Sequence, residues 1–180
     1  VGVPTSTRTA ELARQLGVPV TSLDDAKWLD LTIDGADEFD PNLALIKGGG
    51  AALWQDKSVA TASDQMIVIT DAGKEVAQLG SFPLPIEIIP FGWQTTKALV
   101  EEMLVSMDVL DRDVTLRMNG DKPLLTDEAN YIFDLHLKRI GNPRQLSLVL
   151  NQIPGVVENG LFIDICDIVI IGHGDGRVQV

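Results

Sequence analysis

The segment LDLTIDGADEFDPNLALIKGGGAALWQDKSVATASDQMIVIT, Leu29–Thr70, decides the architecture. It opens on LDLTI, an apolar and partly β-branched run that reads as a strand ending at Asp34. It closes on QMIVIT, a continuous apolar run of the kind a parallel sheet buries on both faces. Between them, AALWQDKSVATAS reads as a helix opened directly by Gly48, Gly49 and Gly50. Strand, helix and strand in this order predict an α/β core with a parallel sheet.

Toward the N-terminus, STRTAELARQLG predicts a helix capped by Ser6 or Thr7 and stopped at Gly17, with Leu12 and Leu16 four apart. VPVTSL reads as a short strand. Toward the C-terminus the pattern changes at FPLPIEIIP, where three prolines fall within nine residues. The next elements are a strand at IEIIP and a helix at WQTTKALVEEML, with Ala98, Leu99, Met103 and Leu104 as its apolar positions. Strands at VTLRM and YIFDLHL follow, with the turn-rich NGDKP between them. A helix at NPRQLSLVLNQI, with Pro143 in its first turn, and a last strand at GVVENGLF complete the series. That order is β-α-β-β-α-β, a split βαβ or ferredoxin-like unit. DIVIIGHGDGRVQV then supplies an apolar strand and a Gly-rich hairpin that return to the first core. The expected division is residues 1–82 plus 161–180 for the α/β domain and 83–160 for an inserted α+β lobe.

Fourteen basic residues against 26 acidic ones leave a formal charge of −12 over 180 residues. Such a chain repels nucleic acid and anionic membranes unless its lysines are gathered, so neither is an expected partner. Cys166 is the only cysteine, which excludes an intrachain disulfide, and its apolar setting marks a small core residue. With no basic apolar signal segment and no run long enough to span a bilayer, a cytoplasmic protein is expected. The two histidines, His136 and His173, lie far apart and outside any Cys/His ligand pattern, so no metal is expected. His136, between Leu135 and Leu137, suits either the solvent face of a strand or a satisfied core position.

In open α/β sheets, ligands bind beyond the carboxyl ends of the strands. Asp34 stands at such an end, and Asp37 and Glu38 follow on the same loop. Gly35 and Ala36 leave room for a ligand between the acids. A glycine run at a helix start can cradle an anion, and Lys47 adds a full positive charge beside it. Asp56, beyond the first turn of the helix, can point back toward this loop. Carboxylates around an ammonium suit proton abstraction next to a carbonyl, with Lys47 and the glycine amides stabilising the enediolate oxygen. Each piece also has a plainer reading. The glycines can be a flexible connection, DGADEFDPN a capping or calcium loop, Asp56 and Lys57 a solvated helix face, and Trp54 packing. The acids at 34, 37, 38 and 40 do not follow EF-hand spacing.

Taken together, DGADEFD, IKGGGAAL with DK after it, VITDAGK, FPLPIEIIP and IPGVVENGLF resemble the ribose-5-phosphate isomerase A family. The motifs run in the family's order over nearly the whole chain. The resemblance implies a Rossmann-like domain with a ferredoxin-like lobe used in oligomer contacts, as a homodimer or homotetramer. It implies interconversion of ribose 5-phosphate and ribulose 5-phosphate, a small phosphorylated sugar substrate, and no cofactor or metal. By motif, Asp56 takes the place of the catalytic base, and Asp34 and Asp37 those of the sugar-contacting, proton-handling aspartates. Lys47 with Gly48–Gly50 matches the lysine-glycine element of the substrate pocket, and Lys74 the substrate-binding lysine. Two departures stand out. The family usually has glutamate, in REK, where this chain has Gln55-Asp56-Lys57. The family also opens with a strand and a GTGST-like phosphate loop, whereas this chain opens at Val1 inside the domain; a further N-terminal segment is expected in the working protein. A non-catalytic phosphosugar sensor is the alternative, and a purely structural oligomer module a third reading.

Overall fold

The computed structural model describes residues 1–180. In chain order the elements are α1 (Thr7–Gln15), α2 (Leu23–Ala26), β1 (Thr32–Asp34), β2 (Glu38–Phe39), β3 (Leu45–Ile46) and α3 (Trp54–Thr61). Next come β4 (Met66–Asp71), β5 (Leu84–Ile88), α4 (Trp93–Leu104), β6 (Asp113–Leu116), β7 (Met118–Asn119), β8 (Lys122–Pro123) and β9 (Tyr131–His136). The chain ends with α5 (Pro143–Leu150), β10 (Val156–Asn159), β11 (Leu161–Phe162), β12 (Ile168–Gly172) and β13 (Val178–Gln179).

The first sheet has the order β1-β4-β12-β13, with β1 and β12 parallel to β4 and β13 antiparallel at the edge. A second sheet, β10-β5-β9-β6, is antiparallel throughout and is covered by α4 and α5. Between them lies a three-stranded sheet, β11-β3-β2. Its strands are two residues long and alternate between two cores. Ile46 and Leu161 join the core of the antiparallel sheet, while Leu45 and Phe162 join Met66, Val68, Val169 and Ile171 under the parallel sheet. The period of two thus turns this small sheet into a shared wall.

Several expectations are corrected. VPVTSL forms no strand; Val20 makes one isolated bridge to Gly2, and α2 begins soon after, capped by Ser22. QMIVIT is buried on one face only. Met66 and Val68 are inside, whereas Ile69, and Ile33 on the adjacent β1, are more than half exposed. On α1 the leucine pair points outward and Ala10 is the buried residue. On α4 the inward positions are Thr96, Val100 and Leu104 rather than Leu99. GVVENGLF is two strands in two sheets, with Gly160 at the crossing. The acidic loop is not all loop either: Glu38 lies on β2 and is buried. Its carboxylate accepts from the backbone N–H groups of Gly80 and Phe82, fixing the turn that leads into β5. Glu38→Ala would leave both donors without a partner, and urea denaturation should show a loss of about 3 kcal/mol.

Candidate active site

Lys47 follows Ile46 directly, so the shared wall delivers it into the seam between the two cores, where it is 4% exposed. A buried ammonium is tolerated only with partners. Its Nζ donates to the Gly35 carbonyl at 2.7 Å and to Asp34 Oδ2 at 2.7 Å, with Asp56 Oδ2 at 3.7 Å. The Phe162 ring centroid lies 5.4 Å from Nζ and adds a cation–π contact.

Asp34 ends β1, at the carboxyl edge of the parallel sheet. Its Oδ1 accepts from the Gly35 amide at 2.7 Å, which fixes the side chain while leaving it partly open to solvent. Asp56 lies in the first turn of α3, not beyond it, where exposed N–H groups favour an anion. It is buried beside Lys47, and its carboxyl is pushed above the usual aspartate range. Burial is the largest cause and the Asp34 charge adds to it; Lys47 and a hydrogen bond from Thr5 oppose them. Two carboxylates therefore share one buried ammonium, and the more buried of them, Asp56, is biased toward holding a proton.

Asp37 joins a different partner. Its Oδ2 accepts from the Gly49 amide at 2.7 Å. A Cβ at residue 49 would come within 2.6 Å of Asp37 Oδ1, so only glycine allows this approach. Asp40 is structural: its Oδ1 accepts from the amides of Asn42 and Ala44 in a tight turn.

The glycines do not open α3 directly. Ala51, Ala52 and Leu53 intervene, and the helix begins at Trp54. The Gly49 amide is also engaged by Asp37, so it is no free donor for a substrate anion. Gly48, at φ +105°, is wedged against Leu53 and Pro85, and Gly50 faces solvent. Gly35 and Ala36 are half-buried between the acids. Lys74 sits in the 3-10 turn Ala72–Lys74 beyond β4, and no hydrogen bond or ion pair ties it to the Lys47 group. Lys57 is not a solvated charge. It is half-buried and bonded to Glu158 at 2.9 Å and the Asn159 carbonyl at 2.6 Å, tying α3 to β10. Thr5 lines two clefts, of about 460 Å³ beside Gly50 and Gln55 and about 360 Å³ beside Asp34.

No group of three or more His, Cys, Asp or Glu side chains is placed to share a metal ion. Three contributors escape a reading of the sequence. Thr5, Phe162 and Arg117 reach the site from α1's leading segment, from β11 and from beyond β6. No local motif marks them, and only the pairing of strands far apart in the chain brings them in.

A family model described as ribose 5-phosphate isomerase A (phosphoriboisomerase A) matches residues 1–176. Over 179 residues the chain is 74% identical to a ribose-5-phosphate isomerase A of Ruegeria pomeroyi, covering 99% of this chain and 68% of the relative. It is 76% identical to one of Cereibacter sphaeroides, with the same coverage of each. Among solved structures, a D-ribose-5-phosphate isomerase in complex with phospho-erythronic acid superposes with a TM-score of 0.89 at 44% identity, covering 99% of this chain and 76% of that one. The ribose 5-phosphate isomerase of Plasmodium falciparum gives 0.91 at 35% identity, covering 98% and 75%.

Proposed function

The chain belongs to the ribose 5-phosphate isomerase A family, and from that premise we propose how its residues interconvert D-ribose 5-phosphate and D-ribulose 5-phosphate, the isomerisation of the pentose phosphate pathway. Asp56 takes the proton from C2 of the open-chain aldose and returns it to C1. Its raised pKa makes the carboxylate a stronger base toward carbon, and the proton it takes is then held for return to C1. Asp34 binds a sugar hydroxyl at the mouth of the pocket and, with Asp37, relays the proton between O1 and O2. Lys47 holds Asp34 and Asp56 in fixed relation and offsets the negative charge that develops on the enediolate. Gly35, Ala36 and Gly50 let the sugar approach the backbone, and Lys74 binds the phosphate end.

The observation that carries this assignment is the burial of Asp56 against the Lys47–Asp34 pair. The phospho-erythronic acid found with a similar enzyme is a phosphorylated sugar acid, and a carboxylate carries negative charge as an enediolate does. A non-catalytic sensor has no observation in its favour. We further assign residues 83–160 to an inserted ferredoxin-like lobe on a Rossmann-like domain. The support is the β10-β5-β9-β6 order with α4 and α5 on one face. Exposed Phe91, Leu110 and Leu148 make this lobe the surface for homodimer or homotetramer contacts, in a cytoplasmic enzyme. No helix is long and apolar enough to cross a membrane.

Turnover in D2O tests the enediolate route. Ribulose 5-phosphate formed from ribose 5-phosphate should carry deuterium at C1, read by NMR, because the base exchanges with solvent. Quantitative retention of the original C2 hydrogen at C1, together with undiminished turnover in Asp56→Asn, would replace proton transfer by a hydride shift.

A further inference from the structure

Arg117 lies just beyond β6 in the lobe, yet its guanidinium reaches the glycine loop of the other domain. Nη1 donates to two backbone carbonyls, Gly48 at 2.9 Å and Gly49 at 3.1 Å. Nε donates to Asp134 Oδ2 at 2.8 Å, and Nη2 pairs with Asp134 Oδ1. Asp134 sits on β9, directly opposite Thr115 of β6, so the antiparallel register brings the carboxylate beneath the fork. Four of the five N–H groups of the guanidinium are thereby engaged, in a planar arrangement that an ammonium cannot copy. Both side chains are mostly buried, at 15% and 17% exposure, where such a pair is screened little.

One peptide unit connects this clamp to the chemistry. The Gly48 carbonyl that accepts from Arg117 belongs to the same peptide as the Gly49 N–H that donates to Asp37. A cation at the oxygen and a carboxylate at the nitrogen polarise that peptide in the same sense, and each bond strengthens the other. Neither flanking glycine can carry a side chain, as Gly48 is confined by Leu53 and Pro85 and Gly49 by Asp37 and Phe82. The loop can therefore be held only through its backbone. Lys47 is the residue immediately before it.

We propose that Arg117, oriented by Asp134, is a positioning residue that sets Asp37 through the Gly48–Gly49 peptide, making the lobe part of the catalytic apparatus. This rests on the role given above to Asp37. Arg117→Met should lower kcat by about tenfold to a hundredfold while KM moves by less than about threefold, since a displacement of about 1 Å is enough for such a loss. Arg117→Lys should fail to rescue, and Asp134→Asn should give a smaller loss in the same direction. If Arg117→Met does not fold, Arg117→Lys takes its place.

The deciding measurement is a double-mutant cycle with Asp37→Asn. In that background the Arg117 substitution should change kcat by less than about threefold, because the group it positions is already gone. Equal losses in both backgrounds, or full activity in Arg117→Lys, would overturn the proposal. Unchanged kcat in Asp37→Asn alone would overturn the role of Asp37 itself, and the proposal with it.

Discussion

Asp56→Asn is expected to lower kcat by about 10³-fold or more, near the upper part of what a single general base contributes. Asparagine keeps the shape and the hydrogen-bonding reach toward Thr5 and Lys47 but cannot accept a proton from carbon. Thermal stability should not fall with it. Burial raises the pKa of Asp56, meaning that the fold prefers its protonated form. A carboxyl raised in this way adds stability in acid, and that contribution is lost as the pH rises through its folded-state pKa. Relative to wild type, the asparagine variant should therefore melt higher at pH 7 than at pH 4, by calorimetry. The acidic limb of the kcat/KM profile should lie above the range of an exposed aspartate, since Asp56 must be ionised to act. A variant that retains substantial turnover would move the base elsewhere, and Asp34 would be the next carboxylate to test.

Asp56 Oδ2 stands 3.7 Å from Lys47 Nζ, against 2.7 Å for Asp34, so the ammonium is held chiefly by Asp34. Asp56 is the more distant partner of the ammonium, and a hydrogen bond from Thr5 completes its hold.

The ingredients of this site were legible because they are local. DGAD, KGGG and QDK lie within 24 residues, and each ends or follows a short element whose direction the apolar pattern sets. Where the reading failed, the deciding contact was distant in sequence. Glu38 resembles its acidic neighbours, but as a β2 residue in a two-residue strand it faces away from them, toward Gly80 and Phe82. Lys57 sits beside Asp56 in sequence, yet the helical turn sends it to Glu158 on β10. The apolar run of β4 could not reveal that one of its faces stays open, because burial depends on what packs above it. Strands of two residues leave almost no periodic signal, so the three-stranded wall that carries Lys47 was readable only in part.

Gly160→Ala should be the most damaging small substitution in the chain. Gly160 stands where β10 of the antiparallel sheet passes into β11 of the shared wall. Its carbonyl accepts from the Lys47 amide at 2.9 Å, and its amide donates to the Pro85 carbonyl at 2.8 Å, so both sheets are tied to its backbone. A Cβ there would overlap the Lys47 carbonyl oxygen and come within 3.0 Å of Pro85 Cδ. Backbone on one side and a proline ring on the other leave no flexible side chain to give way. The neighbouring strands must separate, and overpacking of this kind costs about 3 kcal/mol or more. The same separation would shift Lys47, whose ammonium depends on close contacts with Gly35 and Asp34. Urea denaturation should show the lost stability, and the fraction that remains folded should still turn over at least about tenfold more slowly. Serine, with the same Cβ, should behave like alanine. Normal stability with normal turnover in either variant would mean that the two sheets are not held at this crossing.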